Sequence, residues 1–319
     1  MVWIPVSANG MGTTVLLEQL AEEHIQKTVN GNEVTYSNLQ GFIAEAVEQF
    51  PDLDSLELAK FTMTYTNLSG VDTLPNEEIL GILEAQEITS VTQHFAVDDE
   101  GVIHEVNPLQ IVPYWTSSDG MVEITTSVIR GGTNYNGYRE YTVSADLNWL
   151  NMPLQKIKDT LAIAYTGAYD STKTIVGSYT WSGNCGVCGN NYSVFNRDIY
   201  GNDDYVQNDP KLEIDTSQLN AIGIKFEFEG YPCFHTIANQ THDYTEDTQI
   251  SAHLNFHILV DSLGEVRSAY AHPFVGLGSV SIGASVGFSD GKLQLAPQFN
   301  FEGILAANQY TAVPMTVQP

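Results

Sequence analysis

Basic residues are scarce in this chain. Lys and Arg number 12 against 39 Asp and Glu, a formal net charge of −27. A surface of that sign repels phosphate backbones and anionic lipid head groups, which are held by Lys and Arg, so no nucleic-acid partner is expected. It favours solubility and leaves cationic partners or divalent cations open, with a plainly solvated acidic surface as the preferred reading. Long apolar runs are also missing. No stretch reaches the roughly 18 residues that a membrane-spanning helix requires, so no transmembrane helix is expected. Disorder of the whole chain is excluded in turn, because 43% of the residues are hydrophobic and 10% aromatic.

The segment Val2-Trp3-Ile4-Pro5-Val6-Ser7-Ala8 reads as the tail of an apolar export signal. Val6-Ser7-Ala8 fits a small-residue cleavage site with Asn9 as the first mature residue, and an ordinary N-terminal strand is the alternative. The expectation is a secreted, extracellular protein in which residues 1–12 are a signal remnant and a flexible start.

Residues 13–90 read as helices. Leu16, Leu17, Leu20, His24 and Ile25 form one stripe. Ser37-Asn38-Leu39-Gln40 has the pattern of a capping box and opens a run of Leu39, Phe42, Ile43, Ala46, Val47 and Phe50 at helical spacing, closed by Pro51. A third helix starts near Asp54, carries Leu58, Phe61, Tyr65 and Leu68, and stops at Gly70. A fourth begins at Asn76 with Ile79, Leu80 and Leu83. Near residue 90 the period changes from 3.6 to 2. Val91–Val97 and Val102–Val106 flank a hairpin turn at Asp98-Asp99-Glu100-Gly101, and short alternating runs follow to the end of the chain. The expected class is α+β, a small N-terminal helical region followed by an antiparallel β-sandwich over residues 91–319.

One hairpin can be registered. Asp290-Gly291 is a two-residue turn. Folding there pairs Phe288 with Leu293, Val286 with Leu295, Ala284 with Pro297, Ile282 with Phe299 and Val280 with Phe301, all apolar. The opposite face carries Ser279, Ser281, Gly283, Ser285 and Gly287 against Gln294, Gln298 and Asn300. Pro297 has no amide proton, which marks its strand as an edge or a bulge. A sandwich hairpin with one face on the core is the plain reading of this alternation. The functional reading is a membrane-spanning hairpin, and the pattern resembles the insertion loop of an aerolysin-like pore-former. Gly287-Phe288-Ser289-Asp290-Gly291 matches G-x-S-x-G, but a nucleophile elbow needs a strand-to-helix turn and this is a hairpin, so no hydrolase is read from it.

Cys185, Cys188, Cys233 and His235 offer three thiolates and an imidazole, a set for tetrahedral zinc. In an exported chain a disulfide, within the first pair or from it to Cys233, is the preferred reading. Histidines gather late in the chain, at His235, His242, His253, His257 and His272. His253 and His257 share a strand face too far apart for one metal, and a turn at residues 261–264 places His253 opposite His272 in one register. A polar strand face is preferred and a pH-sensitive patch is the alternative. Asp98-Asp99-Glu100 and Asp203-Asp204 supply carboxylates for calcium without EF-hand spacing. Trp115 and Trp181, beside Ser and Gly, are the candidate glycan-platform aromatics, whereas Trp149 reads as core. Sequons stand at Asn67, Asn191 and Asn239.

The segments Trp115-Thr116-Ser117-Ser118-Asp119-Gly120 leading to Glu123-Ile124-Thr125-Thr126, and Tyr141-Thr142-Val143-Ser144-Ala145 with Trp149-Leu150-Asn151-Met152-Pro153, join the Ser/Gly-rich C-terminal hairpin. Together they resemble a loose group of secreted Gram-positive bacterial proteins of unknown function, over about residues 110–300. The resemblance implies an exported β-rich protein and carries over no catalytic residue. The expected function is a non-catalytic extracellular or cell-surface protein with a binding or structural role. The alternatives are a membrane-active pore-forming protein using residues 279–301, or an extracellular glycan hydrolase whose acids meet only on folding. No catalytic residue and no cofactor is assigned beyond the zinc and calcium options.

Overall fold

The computed structural model describes residues 10–68, 71, 74–97, 102–107, 121–150, 158–184, 195–198, 212–218, 220–227, 234–237, 240–243, 246–289 and 292–319. It is mostly antiparallel β-sheet, and it divides into two compact units, residues 1–90 with 129–132, and residues 91–128 with 133–319. Among the described residues no helix is long and apolar enough to cross a membrane.

In the first unit, α1 (Gly10–His24) is followed by strands β1 (Gln26–Asn30) and β2 (Glu33–Ser37), then α2 (Leu39–Gln49), α3 (Ser55–Tyr65), α4 (Asn76–Gly81) and a 3₁₀ turn at Ile82–Glu84. The β1–β2 hairpin corrects the all-helical expectation. Asn30 pairs with Glu33 across a two-residue turn led by Gly31 at φ +62°, the positive φ that such turns ask of glycine. The core of this unit gathers Leu17, Leu20 and Ala21 of α1, Leu39, Phe42, Ile43 and Ala46 of α2, Leu58, Ala59 and Met63 of α3, and Ile79 and Ile82. Leu16 and Val47, expected on buried stripes, face solvent at 38% and 58% exposure.

Two local signals resolve differently from expectation. The capping box does not form. Asn38 takes a left-handed conformation with no side-chain cap, and its Nδ2 donates to the His24 carbonyl. Gln40 turns its amide away from the helix start and donates to the carbonyls of Leu83 and Ala85, so tertiary partners outbid the local one. The third helix ends at Tyr65, short of Gly70. Asn67 sits at φ +55° while its amide and that of Leu68 donate to the carbonyls of Thr64 and Met63, the two bonds of a Schellman motif.

The second unit takes up β3 (Glu87–Val97) after its first turn and adds β4 (Ile103–Val106), β5 (Met121–Thr133), β6 (Arg139–Trp149), β7 (Lys158–Tyr165), β8 (Ala168–Tyr169), β9 (Val176–Asn184), β10 (Phe195–Asp198), β11 (Glu213–Gln218), β12 (Ala221–Glu227), β13 (Phe234–Ile237), β14 (Gln240–Asp243), β15 (Glu246–Val260), β16 (Gly264–Ser289), β17 (Lys292–Thr311) and β18 (Met315–Val317). One sheet runs β3-β5-β6-β15-β9-β10, with β4 against β3 and β8 against β15; a second runs β11-β12-β7-β16-β17, with β18 against β16; β13 and β14 form a separate pair. Alternate residues of both sheets enter one core: Val143, Ala145, Leu147 and Trp149 of β6 and Leu254, Phe256 and Ile258 of β15 from the first, Leu161 and Ile163 of β7 and Ile222 and Ile224 of β12 from the second. Each Val, Leu, Ile or Phe among them contributes about 1.5–3 kcal/mol on leaving water. Trp149 is core as expected, 3% exposed, with its indole N–H donating to the Tyr270 hydroxyl at 3.0 Å.

Candidate functional site: a hairpin folded onto a small-residue sheet face

The paired strands β16 and β17 dominate the C-terminal part of the chain. All five apolar pairs expected from the sequence are present, Val280 with Phe301, Ile282 with Phe299, Ala284 with Pro297, Val286 with Leu295 and Phe288 with Leu293. The turn residues Asp290 and Gly291 lie outside the described residues, but pairing continues to Ser289 and Lys292, so Ser289 ends one strand of a hairpin and belongs to no strand-to-helix elbow. β17 is the edge of its sheet, the setting that Pro297 requires.

Where the sequence pattern suggests short separate runs, β16 is one strand of 26 residues. Three register shifts fall between Pro273 and Ser279. Bulges bend and twist a strand, and these separate an inner half, residues 266–271, paired with β7, from an outer half that leaves the sheet plane. The outer half turns back over its own sheet. Val280, Ile282 and Phe299 are buried there with Ala162 of β7, Ala221 of β12 and Ala269 and Ala271 of β16. These alanines occupy the face opposite Leu161, Ile163, Ile222 and Tyr270, which point into the main core. The second sheet is thus bulky on its inner face and small on its outer one. Gly223 completes the small face, since a Cβ there would lie 2.3 Å from Ile282 Cδ1 and 2.8 Å from the Leu161 carbonyl. Glycine at this position makes room for the hairpin.

Charge is nearly absent from this region. From Ser268 to Pro319 the only Asp, Glu, Lys or Arg residues are Asp290, Lys292 and Glu302, in a chain of net charge −27. Asp290 belongs to the turn, Lys292 follows it directly, and Glu302 pairs with Ser279 at the base of the outer half.

The root of the hairpin is anchored in the main core. Asp159 of β7 is fully buried and accepts from the Tyr270 hydroxyl and, at 2.8 Å, from His272 Nδ1. Tyr270 stacks on Tyr310 of β17 and meets Trp149 edge-on, with ring centroids 5.6 and 5.8 Å apart. Burial pushes the Asp159 carboxyl above its ordinary value, against the opposing pull of His272 and of the hydrogen bonds from His272 and Tyr270. Burial, then the neighbouring Asp159, holds the Tyr270 hydroxyl well above the usual phenol range, so it stays a donor.

On β15, His253 and His257 lie on the strand face opposite the core residues Leu254, Phe256 and Ile258, a polar face as expected, where their partners on β6 are Asp146 and Thr142. His253 and His272 lie in different sheets and do not pair. Each is instead buried on an aspartate, His253 donating through Nδ1 to Asp146 at 2.6 Å. His257 Nδ1 lies 3.1 Å from Thr142 Oγ1, and His235 stands opposite His242 in the β13–β14 pair. No group of three or more His, Cys, Asp or Glu poised for a metal occurs among the described residues. Cys185, Cys188, Cys233, Trp115, the acids at 98–100 and 203–204, and the sequons at Asn191 and Asn239 lie outside the described residues. Trp181 is in β9, opposite Ile250.

No family model matches this chain, and no curated protein does. Among solved structures it is similar to the Clostridium perfringens delta-toxin, at 9% identity over 92% of this chain and 96% of that one, with a TM-score of 0.27. A structure titled "Pore forming protein" aligns at 8% identity over 70% and 91%, with a TM-score of 0.26. The Clostridium perfringens NetB toxin in its membrane-inserted form aligns at 7% identity over 72% and 96%, also at 0.26. Scores of this size fall short of a shared fold, and the functional reading rests on the hairpin itself.

Proposed function

We propose that this is an exported, membrane-active β protein whose inserting element is the outer half of the β16–β17 hairpin. The reading keeps the non-catalytic surface role expected from the sequence and takes the pore-forming alternative as its mechanism, with the two-sheet sandwich as the body that carries the hairpin. The observation that carries it is the register. Five apolar cross-strand pairs share one face, Ser, Gly, Gln and Asn share the other, and between Lys292, next to the turn, and Glu302 no charge interrupts either strand. The segment Ser279–Ser289 has the length a tilted membrane strand needs, about 9–11 residues. In the folded chain Val280, Ile282 and Phe299 of this face are buried with Ala162 and Ala221, and Ile282 fills the space beside Gly223.

A single hairpin has two unpaired backbone edges, and each unsatisfied group in lipid costs several kcal/mol. Insertion therefore demands a closed barrel. The smallest membrane barrels have about eight strands, so roughly four or more copies of the hairpin would meet in one pore. The polar face would then line the lumen.

Dye release from liposomes tests this. Wild-type protein is expected to empty zwitterionic vesicles, and Val286→Asp, which places a charge on the lipid-facing register, is expected to abolish release while leaving the far-UV spectrum unchanged. Intact vesicles with folded wild-type protein, at neutral and at mildly acid pH, would sink the proposal.

A further inference from the structure

We infer that Glu302 forms a ring of carboxylates at the body-side mouth of the pore, and that this ring makes the pore pass small inorganic cations in preference to anions. The assignment rests on the pore-forming reading above and names the ions that such a pore conducts.

The register places the charge. Glu302 pairs with Ser279, one step beyond the Val280–Phe301 pair that closes the apolar face. Alternation along β17 then sets Glu302 on the face of Gln294, Gln298 and Asn300, the face that would line the lumen. Lys292 holds the same face at the other end, paired with Ser289 beside the turn. Residues 293–301 and 279–289 carry no charge. From Lys292 to Glu302 the strand advances about 33 Å, which at a tilt of roughly 35–45° spans about 25 Å, the height of the apolar band on a membrane barrel. The charged positions of the outer half therefore fall where a barrel meets water on either side.

The two mouths are not equivalent. At the tip, Asp290 stands two positions from Lys292, so the far mouth has no net formal charge. At the base nothing offsets Glu302 along the strands. The nearest basic residues in sequence are Lys292 at the tip and Arg267 in the inner half, and none follows Glu302 to the end of the chain. Each copy thus adds one carboxylate to the base and no net charge to the tip, and roughly four or more copies would set as many carboxylates in one ring. The body behind the ring belongs to a chain of net charge −27, so its field has the same sign. Rings of Asp or Glu select cations, and substitutions facing a barrel lumen tune selectivity. An otherwise uncharged, hydrated lumen has no filter for one cation against another, so the ring decides the sign of the ion and not its identity.

Planar-bilayer recording with the whole chain in zwitterionic lipid, under a KCl gradient, tests this. The reversal potential reads the permeability ratio of K⁺ to Cl⁻ and does not depend on how many channels form. Wild type is expected to favour K⁺ by roughly threefold or more near 0.1 M salt and to lose the preference toward 1 M, as the Debye length shrinks from about 10 Å to about 3 Å. Glu302→Gln is expected to bring the ratio close to unity, and Glu302→Lys to favour Cl⁻. Lys292→Gln, which leaves Asp290 unbalanced, is expected to strengthen the preference for K⁺. Glu302 is exposed on an edge strand, so its variants are expected to fold, and the far-UV spectrum checks that. Wild-type channels that favour neither ion or favour Cl⁻, a wild-type ratio that does not fall with salt, or equal ratios in wild type and Glu302→Gln would overturn the inference and leave the hairpin reading standing. Folded wild-type protein that gives no conductance steps would instead remove the hairpin reading and this inference with it.

Discussion

Gly223 is the residue on which the docked hairpin turns. Its missing side chain is the space that Ile282 occupies, and alanine there would overlap both Ile282 and the Leu161 carbonyl. Overpacking of a closed interior typically costs about 1–3 kcal/mol. Here the strain has an outlet, because the hairpin can lift. Gly223→Ala is therefore expected to lower the thermal midpoint modestly and to accelerate amide exchange in residues 280–289 more than in residues 266–271. Uniform acceleration across β16 would show that the outer half does not move separately. Asp159 makes a second prediction at this scale. Its folded pKa is raised by burial, so the stability it contributes is fully present below the ordinary carboxylate range and is lost as pH rises through the raised value. A plot of urea midpoint against pH is expected to fall across that window in wild type and to flatten in Asp159→Asn. The variant is expected to start from a lower midpoint at acid pH, because leaving a buried hydrogen-bond partner of Asp159 unsatisfied costs about 1–3 kcal/mol. None of this was legible in the sequence. Asp159 precedes His272 by 113 residues and Asp146 precedes His253 by 107, so only strand order brings them together.

At the scale of elements, legibility tracked how locally each feature is determined. The hairpin register was readable pair by pair because a two-residue turn fixes the offset and the side-chain period of two fixes the faces. Helix starts at Asp54 and Asn76 were readable for the same reason. The β1–β2 hairpin left only a Gly31-Asn32 turn inside an otherwise helical stretch, and every residue of β1 is exposed, so no buried face announced it. The length of β16 was hidden by its own bulges, which break the alternation between Pro273 and Ser279 and make one strand look like two. That break has a physical use. A strand with an unbroken ladder resists separation as a whole, whereas the bulged stretch gives up pairing already, so the outer half can detach without unravelling the inner half. Limited proteolysis in the presence of vesicles is expected to protect residues 280–301 while leaving cleavage elsewhere unchanged. Protection spread evenly over the chain would point to aggregation instead.

At the scale of the whole molecule, the distribution of charge sets which membrane the hairpin can reach. The net charge is −27, yet residues 268–319 carry only Asp290, Lys292 and Glu302, so nearly all of the negative charge belongs to the rest of the chain. An anionic bilayer repels that body over about one Debye length, roughly 8–10 Å at physiological salt, before the hairpin touches lipid. A zwitterionic bilayer presents no such barrier. Dye release is therefore expected to be fastest from phosphatidylcholine vesicles and to slow steadily as phosphatidylserine is added. Raising the salt concentration is expected to restore release from the mixed vesicles and to change little with the zwitterionic ones, because screening acts only on the repulsion between body and bilayer. The opposite order, faster release from anionic vesicles with inhibition by salt, would require an attractive cationic surface. The 12 basic residues set against 39 acids give no reason to expect one, and such a result would place the first contact with lipid away from the acidic body.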